Sequence, residues 1–141
     1  MNKEKVLECL NDILEHELSG VVRYSHYSFM IFGYNRIPIV SWFRGHATES
    51  LTHANEVGEL ITTLGGHPSL KIGALLETQR HTMEDILKES LEHERKQVEK
   101  YQALLNEVKD HSIHLEEYAR KLIAEEELHI SEVEKMLRKP A

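Results

Sequence analysis

Two stretches of this chain repeat one pattern of acidic, aromatic and imidazole residues, and both set it where a helix should be apolar. The first runs from Glu17 through Tyr24 to Glu49-Ser50-Leu51-Thr52-His53-Ala54, the second from Glu94 through Tyr101 to Glu126-Glu127-Leu128-His129-Ile130. Glu to Tyr is seven residues in each, and Glu to the later His is 36 residues in one and 35 in the other. Such a duplication predicts two similar helical hairpins, each with a Glu on one helix and a Glu/His cluster on the next. That is the donor set of a di-metal carboxylate bundle.

The apolar positions recur in steps of three and four, the period of an amphipathic helix. Helix A, expected over about 3–33, has the seam Leu7, Leu10, Leu14, Glu17, Val21, Tyr24, Ser28 and Ile31. Helix B, over about 38–65, opens at Pro38, continues through His46, Ser50, His53, Val57, Leu60 and Leu64, and is stopped by Gly65-Gly66. Helix C, over about 80–107, follows Leu87, Leu91, Glu94, Val98, Tyr101 and Leu105. Helix D, over about 111–138, follows Leu115, Tyr118, Leu122, Glu126, His129, Val133 and Leu137. The A–B and C–D connections are short, whereas a stretch of about a dozen residues near 66–79 crosses between B and C, allowing those two helices to run parallel. The expectation is an all-α, single-domain four-helix bundle of two antiparallel hairpins spanning residues 1–141.

Glu17, Glu94, Glu126, His53 and His129 all occupy seam positions. Burying an unpaired carboxylate costs several kcal/mol, about the range found for buried ions after relaxation, and divalent cations remove that cost. Carboxylate and imidazole without sulfur suit iron or manganese, and zinc also fits. Glu-x-x-His occurs once, at Glu126/His129, placing both side chains on one helix face. Glu-x-x-x-His occurs at Glu49/His53, Glu77/His81, Glu89/His93, Glu107/His111 and Glu125/His129, so that spacing discriminates little. The competing reading is that a buried Glu or His in a bundle is a hydrogen-bonded core residue. Tyr24 and Tyr101 read as core aromatics whose hydroxyls bond ligating carboxylates, with a redox role as the alternative for Tyr24. His16, His26, His67, His81, His93, His111 and His114 lack the pattern and read as surface or capping residues.

A formal charge of -7 argues against a nucleic-acid partner. Cys9 is the only cysteine, which excludes an internal disulfide or a Cys-rich metal site. No apolar run approaches the ~20 residues of a membrane span, and no signal core follows Met1, so the expected location is cytoplasmic.

The chain resembles the bacterioferritin branch of the ferritin-like superfamily over nearly its whole length. The matching segments are His16-Glu17-Leu18-Ser19 with Tyr24, His53-Ala54, Leu64-Gly65-Gly66-His67-Pro68, Met83-Glu84-Asp85-Ile86-Leu87 leading into Glu94, and Glu125-Glu126-Glu127-Leu128-His129-Ile130. The resemblance implies a ferroxidase centre of two iron ions within the bundle, oxidising Fe(II) with O2 or H2O2. It implies the metal ligands Glu17, His53, Glu94, Glu126 and His129, with Glu17, Glu94, Glu126 and Tyr24 taking part in the reaction. The family's bridging Glu stands three residues before the first His, and that position is Ser50 here. Adjacent Glu49 is the candidate replacement, or else a ligand for iron on an inner surface. The haem-ligating Met of the family is Leu51, so no haem is expected. The chain ends twelve residues after His129, so no fifth helix is expected, and a homo-oligomer of two or more copies is. Two other readings stay open: a di-metal oxidase or peroxide reductase without a mineral cage, and a metal-free bundle acting as an interaction protein.

Overall fold

The computed structural model of the chain describes residues 1–140. It is all-α: α1 (Lys3–Phe29), α2 (Arg36–Thr63), α3 (Met83–Val108) and α4 (Ile113–Leu137) form a four-helix bundle. Three helices begin at a side-chain cap. Asn2 accepts from the backbone N–H of Lys5, Thr82 from that of Asp85, and Ser112 from that of Leu115. Thr82 explains why α3 starts later than the apolar period alone suggests. At the other end of the crossover, Gly65 adopts φ 78° and its N–H and that of Gly66 return to the carbonyls of Thr62 and Ile61. The connection 64–82 is therefore longer than expected from sequence. Helix α1 also ends at Phe29, short of the expected boundary near 33.

Cross-helix contacts fix the directions. Asp12, Tyr24 and Tyr27 of α1 meet Lys100, Glu94 and Glu89 of α3 in reverse order, so α1 and α3 are antiparallel. Glu17 and Ser28 meet His53 and Arg44 of α2, again in reverse order. Hence α2 and α3 run parallel, as a long crossover requires.

The hydrophobic core is divided in two. One cluster gathers Leu10, Ile13, Val57, Ile61, Leu104 and Leu122 with their neighbours. The other gathers Tyr24, Tyr27, Phe43, Ile86, Leu91 and Val133 with theirs. Between them lies a buried layer of Glu17, Ser50, His53, His93, Glu94, Gln97 and Glu126. Among the described residues, no helix is long and apolar enough to cross a membrane.

The crossover lies along α1. Asn11 bridges it by donating to the carbonyl of His67 and accepting from the N–H of Ser69. Gly73 donates its N–H to the carbonyl of Glu15 at 2.7 Å. A Cβ at Gly73 would stand 3.2 Å from that carbonyl oxygen and 3.3 Å from the Cα of His16, backbone atoms that cannot rotate away. Gly73→Ala is therefore expected to destabilise the protein by about 1–2 kcal/mol, the usual cost of overpacking. Urea denaturation measures this, and an unchanged midpoint would show that the crossover is not seated there.

Candidate metal centre

All six acidic and imidazole residues singled out as ligands converge in the layer between the two cores. Glu17 comes from α1, Glu49 and His53 from α2, Glu94 from α3, and Glu126 and His129 from α4. Glu17 Oε2 and His53 Nδ1 are 3.1 Å apart, and Glu126 Oε1 is 3.9 Å from the same nitrogen. His129 Nδ1 lies 3.6 Å from Glu126 Oε2 and 3.9 Å from Glu94 Oε2. Besides His46/Glu49/His129 and Glu49/His53/Glu125 on the open side, two three-donor groups lie deeper, Glu17/His53/Glu126 and Glu94/Glu126/His129, each with its ligand atoms within 4.8 Å of one another. Glu126 belongs to both.

Glu49 faces both imidazoles. Its Oε1 is 3.9 Å from His53 Nε2 and its Oε2 is 3.4 Å from His129 Nε2. Ser50 is buried beside it, and its Oγ would lie 2.9 Å from a Cβ placed on Gly20. A small side chain at 50 and none at 20 thus let α1 and α2 approach closely at the level of the site. Glu125 adds a further carboxylate, with Oε2 3.3 Å from His53 Nε2. Glu49, Glu125 and His129 are partly exposed whereas Glu17, Glu94 and Glu126 are buried, so the site opens between α2 and α4.

Desolvation dominates the electrostatics. Burial raises Glu17 to about 7 against the hydrogen bond from His53, and raises Glu126 to about 7 against its hydrogen bond with Glu94. Burial also lifts Glu94 well above the carboxylate range, and the bond shared with Glu126 lifts it further. His53 runs the other way: burial alone would lower it, but Glu17, Glu126 and Glu49 raise it to about 9. Three buried carboxyls are thus driven toward the protonated form, which a dication would reverse.

Around these groups stand residues that support them. The Tyr24 hydroxyl donates to Glu94 Oε1 in a short hydrogen bond. Burial and the nearby Glu94 and Glu126 raise Tyr24 well above the phenol range, so its hydroxyl keeps its proton. Tyr101 departs from expectation: its hydroxyl has no hydrogen-bond partner, and its ring packs edge-on to Tyr118 at 6.1 Å. His46 packs against His129 with ring centroids 4.6 Å apart, and its Nδ1 is 3.9 Å from Glu94 Oε1. Burial and His129 lower His46 to about 4, leaving a neutral imidazole beside the ligand set.

Sequence reasoning assigned His16 and His93 to the surface, and the structure corrects this. Both are buried, stacked with centroids 4.0 Å apart, and His16 Nε2 lies 3.0 Å from the His93 carbonyl oxygen. Desolvation lowers His16 to about 4 and His93 well below its usual value. His93 lines the pocket that these carboxylates and imidazoles form and also a cavity of about 590 Å³ beneath the crossover. A signal for this pair was present: His-Glu opens the pattern in both halves, at His16-Glu17 and His93-Glu94. The duplicated histidines meet each other as the duplicated glutamates meet the site.

Whether the layer suits a metal is tested by its polar atoms. The buried Gln97 amide has neither its nitrogen nor its oxygen hydrogen-bonded, and His129 Nδ1 has no hydrogen-bond partner either. Both residues line the same pocket as the carboxylates. Oxygen and imidazole donors, raised carboxyl pKa values and unpartnered polar atoms in one layer fit hard to borderline divalent ions.

No curated protein matches the chain in sequence. Solved structures do match in fold. A ferritin-like, diiron-carboxylate protein from Bacillus anthracis str. Ames superposes with a TM-score of 0.91 at 22% identity, covering 96% of this chain and 97% of its own. The dodecameric thioferritin from Bacteroides fragilis, a bacterioferritin-related protein, gives 0.87 at 22% identity, covering 97% and 86%. The bacterioferritin of Rhodobacter capsulatus, which has a metal-free dinuclear site and heme iron, gives 0.84 at 25% identity, covering 95% and 84%. Residues 7–141 match the Ferritin family, described as a ferritin-like domain. The chain belongs to the ferritin-like domain family.

Proposed function

We propose that this protein binds a pair of ferrous ions and oxidises them with O2 or H2O2, a ferroxidase serving iron storage or detoxification. The observation that carries the reading is the sharing of Glu126 between two three-donor groups in a layer whose carboxyls Glu17, Glu94 and Glu126 are buried. Glu17 and His53 would hold one ion, and Glu94 and His129 the second. Glu126 would be shared by the two ions, and Glu49 would add a carboxylate from the open side. Manganese or zinc would suit the same donors. Iron, when bound, supplies the electrons that reduce the oxidant as Fe(II) becomes Fe(III).

The remaining groups orient and protonate. Tyr24 holds Glu94 through its hydroxyl, fixing which carboxylate oxygen faces the metal side. Apolar clusters above and below exclude water, so charge on the carboxylates is felt strongly. Entry from the α2–α4 side passes Glu49 and Glu125. No haem belongs to this reading, since Leu51 offers neither sulfur nor nitrogen. Exposed Phe29, Phe32, Tyr34 and Ile37 at the α1–α2 turn support a homo-oligomer, as clustered surface apolar groups mark contact sites.

Glu126→Ala is expected to cut Fe(II)-dependent oxygen consumption by more than about tenfold, the loss that even outer-sphere changes cause at metal centres. Unchanged consumption would put the chemistry elsewhere. Reconstituted protein is expected to hold about two ions per chain, as a di-metal bundle does. Glu49→Ala should lower that stoichiometry and Ser50→Glu should tighten binding. Metal analysis reads both, and full loading of the Glu49→Ala protein would return Glu49 to the surface.

Stability against pH tests the electrostatics. In the metal-free protein Glu17, Glu94 and Glu126 retain protons that the unfolded chain loses near 4.5, so their contribution falls as pH rises above that value. His16, His46 and His93 oppose this, because only the unfolded chain takes up their protons below 6.5. Above pH 6.5 the opposition ends, and only falling contributions remain, up to about 7 for Glu17 and Glu126 and about 9 for His53. The Tm of metal-free protein should therefore drop between pH 6.5 and 9, and Glu17→Gln should flatten the drop. A level profile in the parent protein would mean that these groups are not coupled.

A further inference from the structure

We infer a second, mononuclear metal site outside the bundle, built from His26, Glu77 and His81, that takes a borderline divalent ion such as Zn2+ and fastens the crossover to α1. His26 stands near the end of α1, while Glu77 and His81 belong to the irregular connection 64–82. His26 Nε2 lies 3.2 Å from Glu77 Oε2, and His81 Nε2 lies 3.5 Å from Glu77 Oε1. The two imidazole rings meet edge to face with centroids 5.4 Å apart. One donor atom from each residue falls within 4.8 Å of the other two. Ligands bonded tetrahedrally to zinc at about 2.0–2.1 Å stand roughly 3.3–3.4 Å from one another, close to the 3.2 and 3.5 Å that separate each imidazole from its own oxygen of the Glu77 carboxylate.

Two features of the site point to an ion rather than to a simple ion pair. His26 Nε2 is shielded from solvent and makes no hydrogen bond, although the Glu77 carboxylate is within range. The two side chains are otherwise partly open, at 43% and 44% exposure, and the pair stands close without a formed hydrogen bond, which leaves both atoms free to take an ion. The crossover is also bent to present its two ligands. Gln79 adopts φ 59°, in the left-handed region that non-glycine residues seldom enter, and donates its N–H to Glu77 Oε1 at 2.6 Å. That turn brings His81 back onto Glu77 although the segment is not helical. The sequence reading set His26 and His81 among surface or capping residues because neither has the repeated partner pattern, and the Glu-x-x-x-His spacing of Glu77/His81 recurs too often to single it out.

Such an ion would act structurally. Around it the crossover has few anchors: the bond of Thr78 to Glu89, and the Gly73 contact with α1. Leu75 and Leu76 are largely exposed. A bond network from α1 to Glu77 and His81 would hold this segment down over the cavity that His93 and His16 line.

The test uses the full chain with Zn2+ as probe, and the double variant His26→Gln/His81→Gln beside the parent. Both are compared also in the Glu126→Ala background, which separates this site from the buried layer. The double variant should bind about one Zn2+ fewer per chain in either background, as a lone mononuclear site requires. Co2+ substitution should lose one visible absorption component. Zn2+ should slow tryptic cleavage at Lys71 and Arg80, both exposed on the crossover, at least tenfold in the parent and not in the variant. Glu77→Gln serves as a second variant, with helical circular dichroism confirming the fold. Equal Zn2+ counts, or protection that survives the double substitution, would overturn the site, whatever the fate of the buried centre.

Discussion

Three carboxyl groups buried between two apolar clusters set the terms for the whole bundle. Glu17, Glu94 and Glu126 are each nearly inaccessible, and a bundle made only for stability would fill those positions with leucine. Instead the core is cut into two clusters, and the helices must be held in register across a polar layer that packs poorly as hydrocarbon. Gly20 and Ser50 answer part of this by letting α1 and α2 close up beside His93. The stacked His16–His93 pair answers another part, joining α1 to α3 through a ring contact and a backbone carbonyl. The polar layer is thus a designed interruption, with its own packing rules.

The duplication is visible in three dimensions, and so are its limits. His-Glu recurs in both halves, and both pairs arrive at the same layer from α1 and α3. Tyr24 bonds the glutamate of the opposite half, yet Tyr101 turns to Tyr118 and leaves Glu17 to His53. The two donor groups are consequently unequal. Glu17 and His53 form a close, deeply buried pair, whereas His129 is partly exposed and shared among Glu49, Glu94 and Glu126. An ion at the first would be the more enclosed, and an ion at the second the readier to exchange.

Much of this was legible from spacing because helices turn a linear period into a face. Glu17, Glu94, Glu126 and His53 sit at seam positions, and a period of three and four residues puts them in one interior regardless of tertiary detail. What escaped was whatever lies one position off the seam or outside a helix. His16 and His93 precede seam glutamates, so their burial depends on how closely α1 and α3 approach, which no local pattern encodes. Glu125 reaches His53 from the flank of α4, again through interhelical distance. His26, Glu77 and His81 meet only because the crossover folds back on α1. The start of α3 was misjudged for a different reason: Thr82 caps it, and an apolar period says little about where a hydrogen-bonded cap begins a helix.

On the proposed reading, metal loading and folding would be coupled by the same desolvation that makes the layer costly. Without a cation, the layer lowers its charge by retaining protons on Glu17, Glu94 and Glu126, and by keeping His16, His46 and His93 neutral. A cation, on that reading, would ionise these carboxylates and displace their protons. Binding affinity must then rise with pH over the range in which those groups titrate, because each proton released is a competitor removed. A bundle of this kind would carry the cost of its polar layer when empty and recover that free energy when filled. Occupancy and rigidity should accordingly rise together, which ties the partly exposed edge formed by Glu49, Glu125 and His129 to both metal entry and the stability of the core behind it.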